Sequence, residues 1–232
     1  MKKILVFTAT YNEKENIKKL ITLIFKHCSN ANVLIIDDNS PDKTAEEIEL
    51  LKNEFKNISL IKRDSKLGLD TAHKFAYKYA LDKGYDYLIT MDADLSHDPA
   101  ELTNFISSLE TYPFVIGSRY APGGKCLMKG RRLLMSKYGN ILIKLVLRIN
   151  CNEFTTSYRG FDLKKLGSFN LDTVKASGYS FFMKTIFEIS KRKIEIKEIP
   201  ITFKDRSQGY SKLPKIEIFR TLLNLFLLIL KK

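Results

Sequence analysis

Tyr87-Leu88-Ile89-Thr90-Met91-Asp92-Ala93-Asp94-Leu95-Ser96-His97-Asp98-Pro99 is the stretch whose reading decides the fold. Its apolar start reads as a buried strand, two carboxylates follow at i and i+2, and Pro99 opens a helix. Alternate residues of a strand end point to the same side. The spacing therefore predicts that Asp92 and Asp94 converge at the rim of a parallel sheet. Two hard oxygen ligands there suit Mg²⁺ or Mn²⁺, cations that also hold substrate phosphates. The competing reading is that both aspartates only cap the next helix.

The flanking sequence supports a strand in that place. Residues 3–9 read as a strand, and 13–27 as a helix with Ile17, Leu20, Ile21, Ile24 and Phe25 on its apolar side. Asn32–Asp37 and Ile58–Lys62 read as strands, with a short helix from near Asp42 between them. A helix over 69–83, a strand over 86–91, a helix over 99–110 and a strand over 114–117 complete the alternation. This order predicts an α/β fold with a largely parallel sheet and crossover helices. Ligands of such sheets sit outside the carboxyl ends of the strands.

After residue 118 the rhythm changes. Ala121-Pro122-Gly123-Gly124 is a loop. Residues 132–149 read as an amphipathic helix with a stripe of Leu133, Leu134, Ile141, Leu142, Leu145, Val146 and Ile149. A helix over 180–192 precedes an alternating strand over 194–203, and 205–212 is a polar loop. One domain over 1–212 is expected, followed by an amphipathic helix over 213–232. That last segment is strongly apolar, but Glu217 and Arg220 interrupt it and only six apolar residues follow Asn224. A bilayer span needs about 20 apolar residues, so an interfacial helix is the better reading, with a helix docked on the core as the alternative.

The 232 residues carry 39 Lys and Arg against 26 Asp and Glu, a formal net charge of +13. The excess predicts an anionic partner, and without a nucleic-acid motif it points to phosphorylated substrates or an anionic membrane surface, not nucleic acid. Cys28, Cys126 and Cys151 are scattered and odd in number, which fits a reducing cytosol. The opening Met1–Thr8 turns polar too soon for a signal peptide and reads as a first strand.

Three further polar clusters end predicted strands: Ala9-Thr10-Tyr11-Asn12-Glu13, Ile36-Asp37-Asp38-Asn39-Ser40 and Arg63-Asp64-Ser65-Lys66-Leu67-Gly68-Leu69. Carboxylates there can receive the donors of a nucleobase and ribose, and Tyr11 can supply an aromatic face. Arg63 and Lys66 can neutralise a diphosphate, while Gly68 permits close backbone approach. Singly, each cluster is also explained as a turn, a cap or a dipole partner. The absence of G-x-G-x-x-G and of G-x-x-x-x-G-K-[ST] argues against a dinucleotide or P-loop enzyme. Of the three histidines, His27 closes a helix, His73 reads as structural, and His97 adjoins the acidic pair as a helix-entry residue or a ligand.

Together Thr10-Tyr11-Asn12-Glu13, Asp37-Asp38-Asn39-Ser40, Lys66-Leu67-Gly68-Leu69, Met91-Asp92-Ala93-Asp94-Leu95-Ser96-His97 and Gly117-Ser118-Arg119-Tyr120 resemble family 2 glycosyltransferases. The likeness is greatest to the dolichol-phosphate (polyprenol-phosphate) mannosyltransferases. It continues through Arg131-Arg132, Thr155-Thr156-Ser157-Tyr158-Arg159-Gly160-Phe161, Ser177-Gly178-Tyr179-Ser180-Phe181 and Gly209-Tyr210-Ser211-Lys212. The resemblance implies a GT-A fold, Rossmann-like with helices on both faces of the sheet, a nucleoside-diphosphate sugar donor (GDP-mannose favoured), a divalent metal and inversion at C1. It implies donor contacts by Tyr11, Glu13, Asp38 and Asp92, joined by Lys66 and Gly68, and metal ligation by Asp92 and Asp94 with Ser96 as a third candidate. It assigns the phosphate of a polyprenyl or dolichyl acceptor to Arg119, Arg132 and Ser136, with Arg131 as a substitute for its neighbour. Arg206 and Lys212 correspond to a loop that closes over the site, and Arg119 and Arg206 join the aspartates as catalytic groups. Thr10, Asp70, Glu153 and Lys184 depart from the residues most relatives carry, Glu153 standing where many have Asp. The alternatives are another donor such as UDP-glucose, a glycan or polysaccharide acceptor, or a catalytically silent scaffold. The expected location is peripheral, on the cytosolic face of a membrane.

Overall fold

The structure, a computed structural model, describes residues 2–204 and 223–226. In chain order the elements are β1 (Ile4–Thr10), α1 (Lys14–His27), β2 (Asn32–Asp37), α2 (Thr44–Glu54), β3 (Ile58–Lys62), α3 (Leu69–Asp82) and β4 (Tyr87–Thr90). A 3-10 turn (Pro99–Glu101) leads into α4 (Leu102–Thr111), then β5 (Phe114–Ser118), β6 (Lys125–Cys126) and α5 (Gly130–Leu147). β7 (Arg159–Asp162), α6 (Gly178–Lys191), β8 (Ile196–Pro200) and β9 (Thr202–Phe203) follow.

Seven strands form one sheet in the order β3-β2-β1-β4-β7-β5-β8, and β6 pairs with β9 beside it. Every pairing in the large sheet is parallel except those of β7, which runs antiparallel to both neighbours. Strand alternation sorts the core onto two faces. Ile4, Val6, Val33, Ile35 and Ile89 pack with Ile17, Leu20, Ile21 and Ile24 of α1 and with Leu102, Phe105 and Leu109 of α4. Leu5, Phe7, Leu34 and Leu88 face the other way, with Ala72, Ala76 and Tyr77 of α3 and Phe182, Met183 and Ile186 of α6. The expected layering, helices on both faces of a mostly parallel sheet, is what forms.

β7 was not legible in the sequence. It is four residues long, Arg-Gly-Phe-Asp, without apolar alternation. Its fit is decided by neighbours: a Cβ on Gly160 would lie 3.0 Å from Phe105 Cδ1 and 3.1 Å from Leu109 Cδ1, so glycine lets α4 lie against the strand. Because β7 is antiparallel, its start, Arg159, pairs with the last residue of β4 (Thr90) and with Ile116 of β5. Residues 153–158 thereby reach the carboxyl edge of the parallel strands.

Two other expectations change. The strand read over 194–203 divides after Pro200: β8 joins the large sheet, with Ile201 N–H still donating to the Ser118 carbonyl at 3.1 Å, and β9 joins β6. α5 turns most of its apolar stripe away from the core, with Val146 packed against it. Its buried residues are Asn140, Ile143 and Leu147, while Leu134, Met135, Tyr138, Ile141, Leu142 and Leu145 are exposed, Leu145 by 68%. Ile149 lies beyond the helix end and is buried. Of the C-terminal segment, 223–226 is helical; Leu225 joins the core and Asn224 donates to Ser180 Oγ at 3.0 Å, so this part docks on α6. The remainder of the expected interfacial helix lies outside the described residues. Among the described residues, no helix is long and apolar enough to cross a membrane.

Candidate active site

The four polar clusters occupy one rim, as the parallel register requires. Thr10 pairs with Asp37 at the ends of β1 and β2. Thr10 Oγ1 donates to Asp37 Oδ1 at 2.8 Å; Ser40 Oγ donates to the same oxygen at 2.5 Å and Ser40 N to Oδ2 at 2.9 Å. Asp37 therefore holds the rim together, and Asp38 is the carboxylate beside it. Asp38 is paired with Arg63, whose guanidinium also donates to Thr71 Oγ1 (2.7 Å) and the Gly68 carbonyl (3.2 Å). Arg63, expected to neutralise a diphosphate, instead fixes Asp38 and the Gly68 turn. Gly68, at φ +95°, caps α3 in a conformation that a side chain would strain.

Glu13 caps α1 and is buried. Its N–H donates to Thr44 Oγ1 (3.0 Å), and its Oε2 accepts from Asn16 Nδ2 (2.8 Å). Lys66 Nζ stands 4.5 Å from the centroid of the Tyr11 ring, a cation against an aromatic face. Tyr11 and Lys66, and Asp38 and Gly68 through Arg63, are thus linked across three strand ends.

The acidic pair is built differently from expectation. The ladder of β4 stops at Thr90, so strand alternation does not place Asp92 and Asp94; a turn does. Asp92 N–H donates to His97 Nδ1 at 3.1 Å, Ser96 N–H donates to Asp94 Oδ1 at 3.1 Å, and Leu95 takes φ +62° between them. The Asp92 side chain is 35% exposed, while Asp94 is buried. Ser96 is fully buried, and its Oγ has no hydrogen-bond partner among the described residues.

His97 is no ligand candidate. Its Nδ1 accepts the Asp92 N–H, which assigns the proton to Nε2, and Nε2 lies 3.2 Å from Thr156 Oγ1. Burial holds its pKa below the ordinary histidine value against the pull of Asp92 and Asp94, so the ring is neutral. Among the described residues no three His, Cys, Asp or Glu side chains gather into a metal cage. Two hard carboxylates with a buried hydroxyl beside them fit a cation that keeps waters and substrate phosphates in its shell.

Arg119 follows β5 and is buried. Its Nε and one terminal nitrogen grip Glu153 at 2.6 and 2.7 Å, and the same terminal nitrogen reaches Thr155 Oγ1 at 2.9 Å. Phe203 and Tyr120 lie under the guanidinium. Burial alone works against both charges, yet the contact wins: Arg119 is shifted up and Glu153 down, so both are ionised. Tyr120 Oη donates to Ser136 Oγ of α5 at 2.8 Å. Arg131 and Arg132 are exposed on the first turn of α5. A cavity of about 310 Å³ opens between Arg119–Ala121 and the Lys137, Asn140 and Lys144 side of α5. Arg206 and Lys212 lie outside the described residues; Lys204 N–H donates to the Ser96 carbonyl (3.2 Å), so the chain enters that segment beside the acidic turn.

The sequence matches glycosyl transferase family 2 over residues 5–169, which includes the ends of β1 to β5. The chain belongs to this family. It is a glycosyltransferase with a GT-A-like fold. An undecaprenyl-phosphate mannosyltransferase of Micrococcus luteus is 32% identical over 212 residues, 91% of this chain and 87% of that protein. A polyprenol monophosphomannose synthase of Mycolicibacterium smegmatis is 33% identical over 214 residues, 90% of this chain and 80% of that protein. Among solved structures, glucosyl-3-phosphoglycerate synthase of Mycobacterium tuberculosis, in complex with Mn²⁺, UDP and glucosyl-3-phosphoglycerate, superposes with TM-score 0.69 at 14% identity, covering 97% of this chain and 79% of that one. A mannosyltransferase of Pyrobaculum calidifontis, in complex with GDP-mannose and Mn²⁺, gives 0.59 at 18% identity, covering 98% and 70%.

For this glycosyltransferase, sequence reading missed Ser157 and Thr156. Ser157 Oγ donates to Asp92 Oδ1 at 2.5 Å, and Thr156 meets His97. Both lie in the quoted motif before β7, but without the antiparallel strand nothing in the sequence directs them to the acidic turn.

Proposed function

We propose that this family 2 member is an inverting, metal-dependent hexosyltransferase that moves mannose from GDP-mannose to a polyprenyl or dolichyl phosphate at the cytosolic face of a membrane. The observation that carries the reading is an acidic rim beside a segment rich in cations, in which Arg119 is held by Glu153. No Asp or Glu occurs in the sequence from Phe114 to Asn152, where Arg119, Lys137 and Lys144 line a cavity and Arg131 and Arg132 are exposed at the start of α5, whose apolar face is exposed too. Two relatives above 30% identity with polyprenyl-phosphate mannosyl activity in their names support the sugar and the lipid.

Tyr11, Lys66, Asp38 and Glu13 would take the nucleoside, and Asp92 and Asp94, with Ser96 adjacent, would hold Mg²⁺ or Mn²⁺ against the diphosphate. The metal supplies Lewis acidity and charge neutralisation for the leaving group. Arg119, Arg132 and Ser136, with Arg131 nearby, would position the acceptor phosphate; Arg206 and Lys212 would add cations from the following segment. A phosphate monoester, with a second pKa near ~6, is largely dianionic at neutral pH and needs no strong protein base. Its oxygen attacks C1 in line, the bond from C1 to the diphosphate oxygen breaks, and the nucleoside diphosphate departs. The neutral, buried His97 is consistent with this economy of bases. Arginine contributes by holding two anions that repel each other at attack distance.

The exposed apolar residues of α5, flanked by basic side chains, suit insertion at an anionic membrane surface. Incubation of the enzyme with radiolabelled GDP- and UDP-sugars and polyprenyl phosphate, followed by lipid extraction, tests the reading. A labelled, mild-acid-labile polyprenyl phosphate formed from GDP-mannose is expected. Label transferred only from a UDP-sugar, or only into a glycan, overturns the donor or the acceptor respectively.

A further inference from the structure

We infer that residues 153–157 are a brace that fixes Asp92 and Arg119 relative to each other and couples the donor half of the site to the acceptor half. Glu153 and Ser157 are its positioning residues. The inference rests on the reading that Asp92 serves the donor and Arg119 the acceptor.

The links are continuous. Ser157 Oγ holds Asp92 Oδ1 (2.5 Å), and the Ser157 carbonyl accepts from Thr90 Oγ1 at 2.5 Å, which locks this residue to the end of β4. One residue back, Thr156 Oγ1 meets His97 Nε2, whose other nitrogen takes the Asp92 N–H. Asp92 is thus held twice, its carboxylate directly by Ser157 and its backbone by His97, which Thr156 contacts in turn. The N–H of Thr156 then donates to Glu153 Oε1 (3.2 Å), as do Thr155 N–H (3.0 Å) and Thr155 Oγ1 (3.0 Å). The Glu153 carboxylate also receives two bonds from Arg119. A fully buried carboxylate with five donors has no freedom to turn.

The brace is anchored from below. Arg159, fully buried on β7, donates to the carbonyls of Thr156 (2.9 Å) and Phe154 (3.1 Å) and lies against the Phe182 ring. Phe154 N–H donates to Asn140 Oδ1 of α5 at 2.7 Å, which ties the same segment to the acceptor helix. A displacement of Arg119 toward an acceptor phosphate must therefore move Glu153, then Thr156 and Ser157, then Asp92. Coupling of this kind is reciprocal: what the acceptor does to donor affinity, the donor does to acceptor affinity.

The experiment measures the dissociation constant of a non-transferable GDP-mannose analogue (the C-glycosidic phosphonate) with Mn²⁺ by calorimetry, with and without saturating short-chain polyprenyl phosphate, in wild type, Ser157→Ala, Ser157→Thr and Glu153→Asp. In wild type the acceptor is expected to change donor affinity about fivefold or more. Ser157→Ala should weaken Mn²⁺-dependent donor binding about tenfold and bring the acceptor effect close to one. Ser157→Thr, which keeps the hydroxyl, should restore both. Glu153→Asp keeps the charge at shorter reach; it should raise the acceptor KM, leave donor affinity without acceptor near wild type, and remove the coupling. A wild-type coupling factor of one, or variants that lose only thermal stability while the factor persists, overturns the brace. If wild type binds no GDP-mannose but binds another nucleotide sugar, the donor reading fails on its own, and the same titrations with the non-transferable analogue of that sugar test the brace.

Discussion

His73 offers a test in which the magnitude follows from the structure. The ring lies on α3 between Phe7, Phe181 and Phe182, at centroid distances of 5.1, 6.0 and 5.1 Å. Burial, aided by the charge of Arg159, brings its pKa down to about 3. In the unfolded chain a histidine titrates near ~6.5. Below that pH the unfolded state takes up a proton that the folded state refuses, so stability is lost as pH falls through ~6.5 and continues to fall toward the folded value. At pH ~5 the gap is about 1.5 units, or about 2 kcal/mol at 1.36 kcal/mol per unit. His73→Leu removes this slope. Buried His97 contributes a slope of the same sign, so the informative quantity is the difference between wild type and variant, not the wild-type curve alone. Urea unfolding at pH ~7.5 and ~5 should show wild type losing about 2 kcal/mol more than His73→Leu, equivalent to about 4–8 °C in Tm for a chain of this size. Parallel losses in the two proteins would refute the neutral, buried imidazole.

Three further outcomes are expected. Asp94→Asn should abolish turnover and weaken GDP-mannose binding chiefly when Mn²⁺ is present; calorimetry that finds affinity unchanged, with turnover intact, removes the metal assignment. Leu134→Ser/Leu142→Ser/Leu145→Ser on the exposed face of α5 should reduce flotation with anionic liposomes while donor affinity in solution stays near wild type, and equal flotation places the membrane contact elsewhere. Gly160→Ala should cost about 1–3 kcal/mol, because its Cβ meets Phe105 and Leu109 at 3.0–3.1 Å; an unchanged urea midpoint shows that α4 can recede.

Much of the architecture was legible because parallel α/β segments carry their own signals. β2 and β3 fall on the expected residues, and α1 ends at the expected His27. Each is an apolar run or an apolar face of period 3.6, a property of neighbours in the chain. β7 carries no such signal, because what makes Arg159-Gly160-Phe161-Asp162 a strand is the pair of strands on either side. The stripe of α5 misled for a related reason. Periodicity shows that a helix has an apolar side, but the side it buries depends on what stands opposite, and here Asn140, Ile143 and Leu147 face the core.

The acidic pair and the arginines were recognised as residue types in a pattern, and their partners were not. Arg63 and Arg119 read alike in the sequence, as cations beside a strand end. In three dimensions Arg63 braces Asp38, and Arg119 is gripped by Glu153, 34 residues away. The sequence by itself determined the layers of the fold, the rim on which polar residues collect and the two aspartates offered there, since these follow from local periodicity and residue chemistry. Only the tertiary structure decided that Asp92 and Asp94 are set by a turn, that Ser157 bonds Asp92 and Glu153 grips Arg119, and that α5 turns apolar residues outward. Hydrogen bonds between residues distant along the chain are specified by the strand order of the whole sheet, and no local pattern encodes that order.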